Sequence, residues 1–213
     1  MVSESLSQLM IHDPDVRLMI AVQNDDATAF EELVLRYQGR LVSILRHLVS
    51  DPDQAEDLAQ EVFLRVYRAR KNYQPGSKFS SWLFTIANNV ALNSLRTKRR
   101  RPESQFALVR GDPAQSGENR TMGDMIQATS GTIPARALDN LEMKQMVRLA
   151  VESLGERQRM AVLLHKFEGM SYAEIAEIME MTPQGVKSLL CRARMSLRDL
   201  LQPYIEQGTV PSK

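Results

Sequence analysis

Residues 171–194 read SYAEIAEIMEMTPQGVKSLLCRAR, and the helices they form decide what the rest of the chain must be. Thr182 can accept a hydrogen bond as an N-cap, and Pro183 suits the first helical position, where its missing N–H is no loss. A helix therefore opens at this pair. Val186, Leu189, Leu190 and Ala193 then recur at spacings of three and four, which paints one apolar stripe. Gln184, Lys187, Ser188, Cys191 and Arg192 occupy the remaining surface, rich in donors and positive charge.

Upstream, Ile175, Ala176 and Met179 face inward on a shorter helix, and small Ala176 lets the two helices cross closely. Helix, tight connection and second helix in this order form a helix-turn-helix. Glu180 stands at the turn position where Gly is usual, so a non-Gly residue at positive φ is expected there, at a cost of about 1 kcal/mol. The cations of the second helix could be solvated only, or could face a polyanion. Their placement favours the polyanion. Lys187, Arg192, Arg194 and Arg198 sit on the element that enters a groove, while Glu174, Glu177 and Glu180 of the first helix read as a solvated acidic face.

The chain of 213 residues is 43% hydrophobic and 25% charged, an ordinary globular composition with a formal net charge of +1. A nucleic-acid surface must then be local rather than global. Cys191 is the only cysteine, which excludes an intrachain disulfide framework and any zinc site with several Cys ligands. MVSESLSQLM has no basic stretch followed by an apolar core, and the apolar runs are short. A cytoplasmic protein with no membrane insertion is expected. His12, His47 and His165 lie far apart, and no Gly-rich phosphate loop precedes a helix. No catalytic residue, metal ligand or cofactor is therefore expected, and the chain is not read as an enzyme.

Periodicity elsewhere is helical, with no strand pattern. Asp13 and Pro14 start a helix over 14–23, for which Asn24 is the expected left-handed C-cap. Phe30, Leu33, Val34, Tyr37, Leu41, Ile44, Leu45 and Leu48 mark an amphipathic helix. Asp51, Pro52 and Gln54 are a start signature in which the Gln reaches back to the Asp amide. The helix that follows buries Ala55, Leu58, Ala59, Val62, Phe63 and Val66, and leaves Asp57, Gln60, Glu61, Leu64 and Arg65 on a second face.

YQPGSKFSS, residues 73–81, reads as a loop whose Ser80 or Ser81 caps the next helix. That helix buries Leu83, Ile86, Ala87, Val90 and Ala91, and aligns Trp82, Asn89, Asn93 and Arg96 in one stripe. It ends in RTKRRR, where Lys98, Arg99 and Arg100 continue the charge. Such cations could merely complement a helix C-terminus, but beside an aromatic and two amides they fit phosphates next to unstacked bases, as in single-stranded DNA.

Residues 102–137 carry scattered Gly, Pro and Ser without sustained periodicity. Met143, Met146, Val147, Ala150, Val151 and Leu154 form a stripe beyond them, and Met160, Leu163, Leu164 and Phe167 another. The expected fold class is all-α: a tail over 1–13, a helical domain over 14–101, a flexible linker over 102–137, a helix-turn-helix domain over 138–204 and a tail over 205–213. The two domains are expected to sit loosely relative to each other in the free chain.

Taken in order, these parts resemble a bacterial RNA polymerase sigma factor of the sigma-70 superfamily, in the extracytoplasmic-function class. DPDQAEDLAQEVFLRVYR is similar to the family's region 2.2, FSSWLFTIANNVALNSLRTKRRR to regions 2.3 and 2.4, and LGERQRMAVLLHKFEGMSYAEIAEIMEMTPQGVKSLLCRARMSLRDLL to region 4. The resemblance implies an initiation factor that binds core RNA polymerase through its β′ and β subunits, selects promoter DNA and assists its opening. Asp57, Gln60, Glu61, Leu64 and Arg65 would meet polymerase. Lys78 in the 74–80 loop, with Trp82, Asn89, Asn93, Arg96, Lys98, Arg99 and Arg100, would hold the minus-ten element. Gln184, Lys187, Ser188, Cys191 and Arg192 would face the minus-thirty-five major groove. An anti-sigma factor is a further partner implied by family habit. The rival readings are a helix-turn-helix regulator that never becomes a polymerase subunit, and a module whose helices serve an inhibitory partner.

Overall fold

A computed structural model describes residues 13–100 and 135–207, and every regular element among them is helical. The tail over 1–12, most of the linker (101–134) and the last six residues lie outside this description. The helices are α1 (Pro14–Gln23), α2 (Ala27–Val49), α3 (Pro52–Ala69), α4 (Phe79–Arg100), α5 (Ala135–Ser153), α6 (Glu156–Lys166), α7 (Tyr172–Ile178) and α8 (Pro183–Gln207), with a 3-10 turn at Arg70–Asn72. α5 opens at Ala135, inside the stretch read as linker, because that reading relied on apolar period and the period starts later.

In the first half α1, α3 and α4 pack around α2, and most of each stripe read from sequence is buried, Phe30, Val34, Leu58 and Ile86 only partly so. Val16, Met19 and Val22 of α1 are fully buried, each contributing about 1.5–3 kcal/mol. In the second half α6, α7 and α5 support α8. Phe167, expected inward, is 62% exposed. It is the C-cap of α6, and the chain turns away at Gly169 (φ 66°) before the stripe can continue. Its ring lies over His47, with centroids 6.1 Å apart.

That contact belongs to a junction the sequence did not lead one to expect: the halves pack together, α2 against α5 and α6, and α4 against α7. Arg159 of α6 donates to the carbonyls of His47 (3.0 Å) and Leu48 (3.2 Å) at the end of α2, and to those of Glu152 and Leu154 (3.0 Å). The last carbonyls of a helix have no intrahelical donor, and a guanidinium supplies several at once. Arg40 pairs with Glu168, and the buried Asn88 donates to the Ile178 carbonyl at 3.5 Å. In each of these contacts between the halves a polar side chain of one half reaches a group at or just past a helix end of the other. The loose placement was expected from the tether-like composition of residues 102–137, which carries no signal for contacts made elsewhere in the chain.

Three local expectations also change. Asn24 is not left-handed (φ −89°); its neighbour Asp25 is (φ 66°), held there by Arg70 and Lys71. Gln54 does not reach back to Asp51, whose carboxylate caps α3 alone, and instead donates to Ser94 Oγ on α4 (3.1 Å). Neither Ser80 nor Ser81 caps α4. The helix begins earlier, and the amide of Phe79 donates to Asp13 Oδ2, 66 residues away, at 3.0 Å.

Candidate nucleic-acid interface

α8 opens as its sequence requires: Thr182 Oγ1 accepts from the Gly185 amide at 3.1 Å and the Thr182 carbonyl from the Val186 amide at 3.0 Å. A Cβ at Gly185 would stand 3.0 Å from Met181 Cε and 3.3 Å from Thr182 Oγ1, so the end of the Met181 side chain would have to shift slightly to admit one. The turn before it holds Glu180 at φ 50°, the left-handed conformation expected. Val186, Leu189, Leu190 and Ala193 are buried. Gln184, Lys187, Ser188, Cys191 and Arg192 all lie on the exposed surface. Ser188 donates its hydroxyl to the Gln184 carbonyl (3.0 Å), which leaves it an acceptor toward a ligand. Among the described residues neither Lys187 nor Arg192 has an ion-pair partner.

The second surface is the outer side of α4 with the loop before it. Asn89, Asn93, Arg96, Lys98 and Arg99 are exposed, while the side chain of Arg100 lies outside the description. Trp82 is half-buried rather than open: its ring packs on Tyr73 with centroids 4.8 Å apart and near Phe79 at 6.2 Å. It braces the loop. Lys78 pairs with Glu174 (2.9 Å) and Arg99 with Glu156 (3.0 Å), both partners belonging to the second half.

Glu174 is therefore more than a solvated acid. It completes a capping box with Ser171 at the start of α7, accepting from the Ser171 amide (2.8 Å) and hydroxyl (2.7 Å). Burial pushes its carboxyl up, but the bonds from Lys78 and Ser171 outweigh that and hold it down at about 2. The sequence carried the box as S-x-x-E; its pairing with a lysine nearly a hundred residues away has no sequence signal.

The third surface is on α3. Asp57, Gln60, Leu64 and Arg65 are exposed and Glu61 is half-buried, its carboxylate accepting from Arg65 Nε at 2.7 Å. Leu64 is 50% exposed at the rim of a groove of about 1160 Å³ between α2 and α3, lined by Phe30, Val34, Val42, Phe63 and Tyr67. Phe30 and Val34 belonged to the stripe read as core. They line a groove because α3 leaves α2 partly uncovered there.

The chain matches the sigma-70 region 2 family over residues 33–101 and the sigma-70 region 4 family over residues 144–197. It is 34% identical over 200 residues to the RNA polymerase sigma-H factor of Pseudomonas aeruginosa, covering 94% of this chain and all of that protein. It is 36% identical over 193 residues to the ECF RNA polymerase sigma-E factor of Escherichia coli K12, covering 91% of this chain and 97% of that one. Among solved structures, the sigma factor RpoE of Bartonella quintana, seen in complex with the anti-sigma factor NepR, aligns with a TM-score of 0.58 at 26% identity, over 81% of this chain and 96% of that one. α2 to α4 carry region 2, α5 to α8 carry region 4, and both stand in the order found in full-length relatives: the chain belongs to the sigma-70 family of RNA polymerase sigma factors, in its extracytoplasmic-function class.

Proposed function

We propose that this sigma factor engages core polymerase through the α3 face of Asp57, Gln60, Glu61, Leu64 and Arg65, the minus-ten strand through the 74–80 loop and α4, and the minus-thirty-five duplex through α8. The observation that carries the reading is the presence of three separate exposed faces on one chain. An apolar-rimmed polar helix suits a protein partner, an amide-and-cation stripe beside an aromatic-braced loop suits unstacked bases, and a capped helix with unpaired cations suits a major groove. A regulator that never joins polymerase needs only the last. β′ and β are the subunits assigned to the protein contacts. An anti-sigma factor, as found with the Bartonella relative, is the further partner. No helix among the described residues is long and apolar enough to cross a membrane, in keeping with a cytoplasmic role, and the chemistry of RNA synthesis is assigned to core polymerase rather than to this chain.

The deciding experiment combines purified protein with core polymerase on genomic DNA and maps transcript starts. Discrete new starts sharing two upstream elements, absent with either component alone, are expected. Sequence-specific DNA binding by the free protein without new starts would return the reading to a conventional regulator.

A further inference from the structure

Residues 74–78, QPGSK, join two buried aromatics, Tyr73 (4% exposed) and Phe79 (fully buried). Both stems of this loop are held by α1, from its opposite ends. At the N-terminus the Asp13 carboxylate uses one oxygen for the Asp15 amide of α1 and the other for the Phe79 amide of α4, each at 3.0 Å. At the C-terminus Gln23 Nε2 donates to the Tyr73 carbonyl at 2.5 Å. Lys71 donates to the Gln23 carbonyl and to Asp25 Oδ2, and Arg70 holds Asp25 Oδ1 at 2.9 Å. A ten-residue helix is about 15 Å long. α1 is thus a strut across the base of the loop.

The strut is itself seated. Its apolar stripe is fully buried, and Asp15 accepts from Tyr37 Oη (2.6 Å) and Arg36, while the Tyr37 ring meets Phe79 edge-on at 5.3 Å. The Phe79 amide is one of the orphan donors of a helix start, and no side chain of α4 satisfies it. Only a group fixed in space by another element can set where that helix begins. Where α4 begins sets the position of Lys78 and of the loop stem before it.

We propose that α1 is the positioning element for minus-ten readout: Asp13 and Gln23 fix the two stems of the 74–78 loop, and promoter selectivity depends on both residues although neither touches DNA. This rests on the assignment of the loop and α4 to the minus-ten element. A 1 Å misplacement of a recognition group costs selectivity even when every contacting residue is present.

The experiment uses holoenzyme assembled with Asp13→Ala, Asp13→Asn and Gln23→Leu, alongside Asn89→Ala. Each is selected against a library randomised at minus ten and another randomised at minus thirty-five, and core affinity is titrated in parallel. Asp13→Ala and Gln23→Leu are expected to relax minus-ten discrimination by roughly tenfold, the scale of one lost hydrogen bond, with core affinity and minus-thirty-five selection unchanged. Asp13→Asn keeps one acceptor oxygen where two are used, so an intermediate relaxation is expected. If Asp13→Ala fails to fold, Gln23→Leu decides by itself. Wild-type minus-ten selection in Gln23→Leu and Asp13→Asn, with selection changed by Asn89→Ala, would overturn the strut and leave the loop's assignment intact. Equal losses in both libraries and in core affinity would reduce α1 to a structural role and overturn it too. Wild-type selection in Asn89→Ala would instead remove α4 from base reading, and the proposal with it.

Discussion

Among the described residues Lys187 and Arg192 of α8 have no ion-pair partner, whereas Lys78 and Arg99 each hold a carboxylate of the second half, and this difference sets what each can do. A cation with no carboxylate to hold can spend its donors on base edges. Lys187→Ala and Arg192→Ala are expected to cost about 1–3 kcal/mol at the preferred promoter where the residue reads a base, and to change minus-thirty-five selection. Arg99 is expected to touch phosphate only, so Arg99→Ala should weaken binding uniformly and reduce the salt slope by about one. Selection from a randomised minus-thirty-five library at two salt concentrations separates these outcomes, and unchanged selection and affinity in both α8 variants would take that helix off the DNA. The pairs of Lys78 and Arg99 do not block such use, because exposed ion pairs are worth only about 0–1 kcal/mol and exchange readily for phosphate. Glu180 makes a separate point. At φ 50° it carries a side chain where Gly would be at ease, so Glu180→Gly should raise stability by up to about 1 kcal/mol in urea unfolding. A loss would mean that the Glu side chain contributes more than the strain removes.

At the scale of the element, α3 shows how one helix serves two masters. Ala55, Ala59, Val62, Phe63 and Val66 are buried against α2 and α4, and the opposite face stays polar around exposed Leu64. Because the two faces are separate, changing one leaves the other. Asp57→Lys with Glu61→Lys is expected to shift stability by no more than about 0.5 kcal/mol per exposed site, with Glu61 adding the loss of its Arg65 pair. Core polymerase affinity should fall roughly tenfold or more, since like charges across an interface are repelled. A titration of fluorescent core with the double variant measures this, and wild-type affinity would remove the face from the interface.

For the whole molecule, one apolar core runs through both halves, and the titratable groups beside it at the junction make that junction sensitive to pH. Burial lowers the His47 pKa, and the positive charges of Arg148 and Arg159 lower it further against the opposing effect of Glu152. A histidine depressed on folding stabilises when neutral, so its contribution is present above about pH 6.5 and lost as pH falls through its lowered value. Glu174, depressed to about 2, contributes above its ordinary value of 4.5 and loses that contribution between 4.5 and 2. Protection factors in α6 and α7, corrected for the intrinsic exchange rate at each pH, should accordingly fall in two stages on acidification, and His47→Gln should flatten the first. Arg159→Ala, which strips donors from the carbonyls of His47, Leu48 and Leu154, is expected to cost roughly 1.5–3 kcal/mol. Unaltered exchange at α6 in that variant would show that apolar packing alone joins the halves.

Each helix was legible wherever a 3.6-residue apolar stripe ran between an Asp, Ser or Thr cap and a breaker, as from Asp51 to Ala69 and from Thr182 onward, because both signals act within a few residues of backbone. The exposure of Lys187, Cys191, Arg192, Asn89 and Leu64 followed from the same periodicity, since whatever is off the stripe is outside. Tertiary structure decided the rest: that Asp13 rather than Ser80 or Ser81 starts α4, that Gln54 turns to Ser94, that Trp82 is braced by Tyr73, and that Lys78 finds Glu174. In the three polar cases a group had several near-equal local partners, worth about 1 kcal/mol apiece, and the choice fell to whichever donor or acceptor the buried stripes had already carried within hydrogen-bond reach.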